Sequence, residues 1–346
     1  MRKLASVQKV WKIEPIEGAD KIELAHVLGW QCVAGKGQFR EGEDAVYFEI
    51  DSFLPVREEF EFLRKNSFKT NPILGEGFRL RTQRFRGQIS QGLLMPLSAF
   101  PEIPDGVETG TDVTELLGVR KWEEEERATS DGTAVGGLPY SIPKTDEMRV
   151  QAYPGLLDEF SGLDYYITTK MDGTSCSVSI DTTGFHVTGR SLEWKDDDKS
   201  SFYKLVKKMG LREKMERRVK EHGLESLTIQ GELCAPGIQK NRLKLREPHW
   251  YVFTVREDGR RLDMHHMLST CNMLNLEHVP VEEIGTDLVT AYPTVEALLE
   301  RADGEYPNGG KKEGIVIRPV YPVYSPTIGG SLSMKVVNNN YLLKNE

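Results

Sequence analysis

Residues 163–181 read LDYYITTKMDGTSCSVSID. An apolar, aromatic and β-branched run leads to Lys170, and a second run of this kind begins at Ser175. Lys170-Met171-Asp172-Gly173 lies between them. Runs of this composition bounded by a glycine predict β-strands. The stretch therefore predicts two successive strands with a lysine at the end of the first.

A lysine at the end of a strand can act as a nucleophile once its amine loses a proton. With an ordinary pKa of about 10.4, only about one lysine in a few thousand is deprotonated at neutral pH. We expect metal ions or neighbouring lysines to lower the pKa of Lys170. Asp172 suits a metal ion or its waters, and Gly173 permits a tight turn. For these four residues alone, an exposed hairpin with a solvated lysine is an equally good interpretation.

Further polar motifs follow in order, the first four beside or within a predicted strand and the last near the chain end. They are Thr188-Gly189-Arg190-Ser191, Gln230-Gly231-Glu232, Tyr251-Val252-Phe253, residues 311–318 (KKEGIVIR) and Ser333-Met334-Lys335. The Arg190 guanidinium suits a sugar or phosphate, and the ring of Phe253 suits stacking on a purine. Phe253 is also a good candidate for the core, as strand aromatics usually are.

The pattern around these motifs predicts an α+β domain over residues 142–346. Predicted strands cover residues 163–170, 175–181, 185–188, 228–233, 251–256 and 314–318, and predicted helices cover residues 201–222 and 294–302. Residues 1–122 instead contain short alternating strands at 5–13, 21–34, 45–50 and 78–96, with short helices at 58–65 and 113–117. An OB-type β-barrel fits this N-terminal pattern best. Residues 123–141 lack apolar periodicity and predict a linker.

Composition narrows the class of protein. The chain has 346 residues and a formal net charge of -8, which argues against non-specific coating of nucleic acid. A local basic surface is still expected, and Arg79, Arg81, Arg84 and Arg86 form two pairs that each share a strand face. One interpretation is that these arginines bind an RNA backbone. An equally good one is that they are solvated and pair with acidic residues.

Nothing in the sequence suggests a membrane or secreted protein. No apolar run approaches 18 residues, the N-terminus lacks a signal-peptide pattern, and the four cysteines form no CxxC pair. We therefore expect a soluble, intracellular protein with reduced thiols and no membrane partner.

The ordered motifs resemble the covalent nucleotidyltransferase superfamily of ATP-dependent ligases and RNA capping enzymes. Residues 144–151 (KTDEMRVQ), 231–241 (GELCAPGIQKN) and 335–342 (KVVNNNYL) are similar to the fifth RNA-ligase family, whose members carry an OB domain in front of the transferase domain. The resemblance covers essentially the full chain. One departure is Ser333, where many members have the first lysine of a Lys-x-Lys pair.

The resemblance implies an ATP-dependent RNA ligase, a monomer that seals nicked duplexes with RNA on the 3'-hydroxyl side through lysyl-AMP and adenylylated RNA. Lys170 would be the nucleophile and Lys335 would contact the reacting phosphate. Two divalent ions, Mg²⁺ or Mn²⁺, would be held at Asp172, Glu232 and Glu313. The predicted ATP contacts are Arg149, Thr169, Gly173, Arg190, Phe253, Lys311 and Lys312.

There are two alternatives, one within enzymes and one from a different class of protein. A GTP-dependent guanylyltransferase of the capping type would place its OB domain after the last motif, but only 11 residues follow Lys335, so we expect none there. A non-catalytic RNA-binding protein with a degenerate transferase domain is opposed by the intact KMDG, GE and KKEG elements.

Overall fold

The computed structural model describes residues 2–122, 132–197 and 199–345. Their contacts divide the chain into two compact units, one of Met1–Arg127, Gln151–Pro154 and Leu342–Glu346, and one of Ala128–Val150 and Gly155–Tyr341. Residues 123–131 of the predicted linker lie outside the described residues. Residues 134–137 of that linker are a strand, because their main chain pairs with residues 192–194.

The first unit is built from short antiparallel strands. They are β1 (Ala5–Pro15), β2 (Ile22–Val27), β3 (Trp30–Gly35), β4 (Asp44–Phe48), β5 (Ser52–Pro55), β6 (Phe68–Asn71), β7 (Gly75–Arg79), β8 (Thr82–Phe85), β9 (Gln88–Gln91), β10 (Leu93–Pro96) and β11 (Arg120–Lys121). The sheet orders are β10-β4-β1-β2-β3, β11-β5-β7-β6 and β8-β9. Inward residues such as Val7, Val46, Phe48 and Phe78 form the core, as a barrel with alternating faces requires.

Two short helices were predicted in this unit. The first is present as a 3₁₀ helix over Glu58–Leu63 that continues into α1 (Arg64–Ser67), and the buried ring of Phe60 anchors it. The prediction of a helix at residues 113–117 is wrong. That segment is a turn, in which Leu117 N–H donates to the Val113 carbonyl and the chain then enters β11.

The second unit holds the remaining strands, which form two main sheets. They are β12 (Ala134–Gly137), β13 (Met148–Arg149), β14 (Asp164–Lys170), β15 (Thr174–Asp181), β16 (Gly184–Thr188), β17 (Leu192–Trp194), β18 (Leu227–Cys234), β19 (His249–Glu257), β20 (Arg260–Arg261), β21 (Val281–Thr286), β22 (Gly314–Pro319), β23 (Tyr324–Ser325), β24 (Gly330–Ser331) and β25 (Met334–Val337). One sheet has the order β12-β17-β16-β15-β18-β19-β20 and the other β13-β25-β22-β14-β21, while β23 and β24 form a hairpin.

Helices accompany these sheets. They are α2 (Ser201–Lys208), α3 (Leu211–His222), α4 (Met264–Leu274), α5 (Leu288–Ala291) and α6 (Val295–Ala302), and a further helix, α7 (Asn339–Asn345), has residues in both units. The single helix predicted over residues 201–222 is two helices, because Gly210 takes a left-handed φ of 56° and ends the first. None of the helices in the described ranges is long and apolar enough to cross a membrane.

The two main sheets of this unit are joined at the nucleophile motif. Strand β14 ends at Lys170 in one sheet, and β15 begins at Thr174 in the other. Lys170 pairs with Gly314 of β22, and Ser175 pairs with Glu232 of β18. The register of the two ladders therefore brings motifs that are far apart in sequence to the same junction.

Candidate active site

The amine of Lys170 lies 2.7 Å from Oε1 of Glu313, and both side chains are partly buried. The β14–β22 ladder produces this contact, because Lys170 is the partner of Gly314, the residue after Glu313. Gly314 itself has a φ of 151°, and a Cβ there would lie 2.1 Å from the Val336 carbonyl oxygen. Only glycine fits at this crossing of β22 and β25.

Carboxylates dominate the electrostatics around the amine. Burial, with further repulsion from Glu313 and Asp172, raises the pKa of Glu232 to about 8. Burial alone would lower the pKa of Lys170, but attraction to Glu313 and Glu232 outweighs it and raises the pKa. Neighbouring lysines were expected to lower this pKa. The side chains of the protein instead keep the amine protonated.

Asp172 is held by two residues that sequence reasoning did not assign a role. The Tyr341 hydroxyl donates to Oδ1 of Asp172 over 2.8 Å, and Nε of Arg242 lies 3.3 Å from Oδ2. The Arg242 guanidinium also lies over the Tyr341 ring, 4.9 Å from its centroid. Burial raises the pKa of Asp172, and these partners oppose that rise. Tyr341 lies within residues 335–342 and Arg242 directly follows residues 231–241, two segments that are similar to the RNA-ligase family. No local pattern connects either residue to Asp172.

Gly173 is required for a reason other than the predicted turn. Its φ is not in the left-handed region, but a Cβ at this position would lie 2.4 Å from the Leu233 carbonyl oxygen and 2.8 Å from the Cys234 sulfur. Glycine thus lets the strand that follows Lys170 approach β18, which carries Glu232.

A third unassigned residue, Tyr306, bridges the nucleophile and its carboxylate partner. Its hydroxyl donates to the Lys170 carbonyl over 2.7 Å and accepts from the Glu313 N–H over 3.2 Å. The ring is buried beside Met171 and Cys234. One hydroxyl therefore holds the main chains of both residues together.

The two lysines before Glu313 have different environments. Lys312 is buried, with its amine 2.9 Å from both carboxylate oxygens of Glu282, which also accepts from Thr169. Lys311 is more exposed and lies 3.5 Å from Glu305. The ion pair of Lys312 and the hydrogen bond of Thr169 to Glu282 place both residues in a structural network, whereas the Lys311 amine is the more exposed of the two.

The other predicted nucleotide contacts lie on neighbouring elements of this unit. Arg149 and Lys335 are direct partners in the parallel pair β13–β25, so two cations lie side by side. Phe253 on β19 is half-buried in the cluster that contains Met171. Arg190 lies in the loop after β16, half-exposed and 3.0 Å from Asp146.

The predicted RNA-binding arginines do not share one strand. Strand β7 ends at Arg79, whose guanidinium lies 4.7 Å from the centroid of the Trp122 ring. Arg81 lies between strands, Arg84 is exposed on β8, and Arg86 has a φ of 48° in the β8–β9 turn. The prediction that pairs of these arginines share strand faces is therefore wrong, because a turn interrupts the segment.

The groups around Lys170 fit a hard divalent cation. Three carboxylates face one ammonium group, and burial together with repulsion from Glu313 and Asp172 raises the pKa of Glu232. Within the described ranges, no three carboxylate, imidazole or thiol groups converge as a ready-made metal site. Mg²⁺ commonly binds in such places through one or two carboxylates, retained waters and substrate phosphates. The donor set therefore suits Mg²⁺ or Mn²⁺ together with a nucleotide.

Comparison with known proteins agrees with this architecture. A family model described as an OB-fold domain matches residues 4–97, and one described as RNA ligase matches residues 163–337. No curated protein sequence matches the chain. Among solved structures, Naegleria gruberi RNA ligase with pyrophosphate is 33% identical, with a TM-score of 0.87 and 99% of each chain covered.

Two variants of the Naegleria gruberi enzyme match equally well. One was solved with ATP and manganese and the other with AMP and manganese; each is 32% identical, with a TM-score of 0.88 and 99% of both chains covered.

Fold and matches together define the class as a nucleotidyltransferase domain preceded by an OB domain. This confirms the fold expected from the sequence. The chain belongs to the RNA ligase family, and it is an enzyme that forms phosphodiester bonds.

Proposed function

We propose that this ligase uses ATP to join a 3'-hydroxyl and a 5'-phosphate of RNA through a lysyl-AMP intermediate on Lys170. The observation that carries the proposal is the Lys170 amine at a strand end, 2.7 Å from Glu313 and facing Glu232 and Asp172. The ATP and manganese bound by a variant of Naegleria gruberi RNA ligase support the same choice of nucleotide.

In the first step, the Lys170 nitrogen forms a bond to the α-phosphorus of ATP, and the bond from that phosphorus to pyrophosphate breaks. Glu313 orients the amine and accepts its proton through Oε1. Asp172, Glu232 and Glu313 would hold two divalent ions, Mg²⁺ or Mn²⁺, whose positive charge lowers the pKa of the amine and offsets charge on the phosphates.

Other residues of the unit prepare the nucleotide. Arg149 and Lys335 supply paired positive charge for the phosphates, and Lys311 adds to it from the loop before β22. Phe253 stacks on the adenine, and Arg190 contacts the ribose after exchanging its surface pair with Asp146. Thr169 and Lys312 contribute by fixing the main chain on either side, through Glu282.

The two later steps transfer the adenylate to RNA. The RNA 5'-phosphate attacks lysyl-AMP and takes the AMP, which frees the lysine, and the neighbouring 3'-hydroxyl then attacks the activated phosphate and expels AMP. A nick in a duplex with RNA on its 3'-hydroxyl side presents both ends in this arrangement. Sealing such nicks would give the enzyme a role in RNA repair.

We further infer that the enzyme acts as a monomer inside the cell, where its four buried cysteines, Cys32, Cys176, Cys234 and Cys271, stay reduced. In the first unit, Arg84 and Arg86 are the best candidates for RNA phosphates because both are exposed. Arg79 and Arg81 are more enclosed and would support that surface from behind.

Labelling of the protein tests the first step. Wild-type protein incubated with manganese and ATP labelled at the α-phosphate should retain the label, and Lys170→Ala should not. Label retained from GTP alone would favour the capping-type guanylyltransferase, and equal absence of label from wild type and Lys170→Ala would favour a non-catalytic RNA-binding protein.

Nicked duplexes with RNA or DNA on each side of the break test the substrate. We expect sealing only when the 3'-hydroxyl strand is RNA. Equal sealing of nicks made entirely of DNA would contradict that specificity.

A further inference from the structure

The loop of residues 235–248, which joins β18 to β19, carries a regular series of cations. Lys240, Arg242, Lys244 and Arg246 occupy alternate positions, and all but Arg242 are exposed. We call residues 235–248 the basic loop. Its acidic residue, Glu247, is paired with Lys208 over 2.8 Å, so this charge is already offset.

The basic loop has a fixed shape. Three of its non-glycine residues, Gln239, Asn241 and Lys244, take left-handed φ values of 48°, 41° and 54°. The Asn241 side chain bonds both the N–H and the carbonyl of Leu245 over 3.0 Å. Non-glycine residues keep such a conformation only where the surrounding structure enforces it, and they concentrate at ligand sites.

Contacts from outside the loop complete this enforcement. The Asn308 amide donates to the Leu243 carbonyl over 2.7 Å, and the Leu243 side chain is buried. A Cβ at Gly310 would lie 2.3 Å from the Arg242 carbonyl oxygen, so only glycine allows the two segments to pack this closely. The main chain of the basic loop is therefore ordered before a ligand binds, and only the exposed side chains of its cations are left to be fixed.

The same loop contacts the nucleophile motif. The Gln239 amide donates to the Gly173 carbonyl over 3.4 Å, and Arg242 lies 3.3 Å from the Asp172 carboxylate. Arg242 is thus directed inward, while Lys244 and Arg246 face solvent. Within the described part of the chain, Lys244 and Arg246 make no ion pair.

We propose that the basic loop binds the sugar–phosphate backbone of the RNA strand beside the end that receives AMP, with Lys244 and Arg246 as its phosphate contacts. This inference rests on the proposed function and adds a substrate surface within the transferase unit. Two exposed cations lie two positions apart on an ordered loop that contacts the nucleophile motif, and this arrangement matches the repeating charge of a phosphate backbone.

The test compares Lys244→Gln/Arg246→Gln with a matched control, Lys204→Gln/Arg217→Gln. The control removes the same charge from exposed positions on α2 and α3. The probe is a nicked RNA duplex with a 5'-phosphate. Its Kd is measured at KCl concentrations from about 0.05 M to about 0.2 M. A third measurement records lysyl-AMP formation from ATP and manganese without RNA.

For the loop variant, we expect binding of the duplex about tenfold weaker and a salt slope, log Kd against log salt, smaller by roughly 1.5, because each lost contact removes about 0.7–0.9. Its rate of lysyl-AMP formation should match wild type, and the control variant should match wild type in all three measurements. An unchanged Kd and slope in the loop variant would overturn the inference, as would loss of its lysyl-AMP formation. Failure of the wild-type protein to form lysyl-AMP would instead contradict the proposed function.

Discussion

The hydroxyl of Tyr306 donates to the carbonyl of Lys170 over 2.7 Å and accepts from the N–H of Glu313 over 3.2 Å. The same two residues form the ion pair between amine and carboxylate. Two strand ends that carry opposite charges are thus fixed by one neutral buried group. The distance between nucleophile and carboxylate depends on a residue that touches neither charged atom.

Tyr306→Phe should separate this positioning role from folding. The ring still fills its space beside Met171, so the free energy of unfolding should fall by only about 1–2 kcal/mol, the usual value of lost buried hydrogen bonds. Lysyl-AMP formation at saturating ATP should slow by about tenfold, on the order of 1.4 kcal/mol, while the KM for ATP stays unchanged.

Single-turnover labelling with ATP and urea unfolding provide the two measurements. Tyr292→Phe is the matched control, since its hydroxyl donates to Glu283 over 2.8 Å without contacting Lys170 or Glu313. A rise in KM at an unchanged maximal rate in Tyr306→Phe would show that the hydroxyl serves ATP binding instead.

Gly173→Ala should disrupt the junction between the sheets. The added methyl would lie 2.4 Å from the Leu233 carbonyl oxygen, which is main chain and cannot rotate away. We expect a loss of about 1–3 kcal/mol of unfolding free energy and loss of lysyl-AMP formation, because β18 carries Glu232. Gly136→Ala is the control, as no atom of the described residues other than those of Gly136 and its two chain neighbours lies within 4 Å of the added Cβ. Circular dichroism melting and ATP labelling compare the two, and equal behaviour would refute the role of close approach.

Six of the fourteen strands described in the transferase unit follow from sequence, because their signals are local. The run that ends at Lys170 is aromatic and β-branched from Tyr165 to Thr169, and the predicted strand 163–170 is β14 (Asp164–Lys170). Helix α4 was missed although a local signal exists: Asp263 caps its N-terminus over 3.0 Å, and apolar residues recur at helical spacing from Met264.

The contacts that build the site are different in kind. Tyr306 is 136 residues from Lys170, and Tyr341 is 169 residues from Asp172. Such pairs arise only after two ladders have set the register of distant strands, and a tyrosine in a loop has no periodicity that marks its partner. The sequence order of the motifs could therefore predict which residues gather, but not which hydroxyl holds them.

The two lysines before Glu313 should respond differently to loss of charge. Lys312→Met should destabilise the fold by about 2 kcal/mol, because it removes a buried partner of Glu282. Thr169 and Arg301 still bond that carboxylate and limit the loss. Lys311→Met should leave the unfolding free energy within about 0.5 kcal/mol of wild type and raise the KM for ATP several-fold. Urea titration and labelling kinetics distinguish the two, and the reverse pattern would contradict the assignment of phosphate contact to Lys311.

A pH dependence of stability should arise from the buried pair of Glu147 and Arg318. Burial opposes ionisation of Glu147, but Arg318, Arg261 and Lys335 outweigh it and lower its pKa. A carboxyl whose pKa is lower in the folded state stabilises the protein above its unfolded pKa, about 4.3, and this stability is lost as the pH falls through the folded value. Glu147→Gln leaves the Arg318 guanidinium buried without its carboxylate, so we expect about 3 kcal/mol less unfolding free energy at pH 7.

The difference between wild type and Glu147→Gln should shrink as the pH falls below about 4, because protonation removes the same charge from wild type. Urea unfolding at a series of pH values measures both curves. Glu257→Gln is the control, since it removes the same charge from a second, partly buried carboxylate–arginine pair whose Arg218 also bonds Thr270. The opposite outcome is a difference that stays constant from about pH 7 to about pH 3, which lies below the unfolded pKa of a glutamate. It would mean that packing or hydrogen-bond geometry, and not the charge of Glu147, supports this part of the sheet.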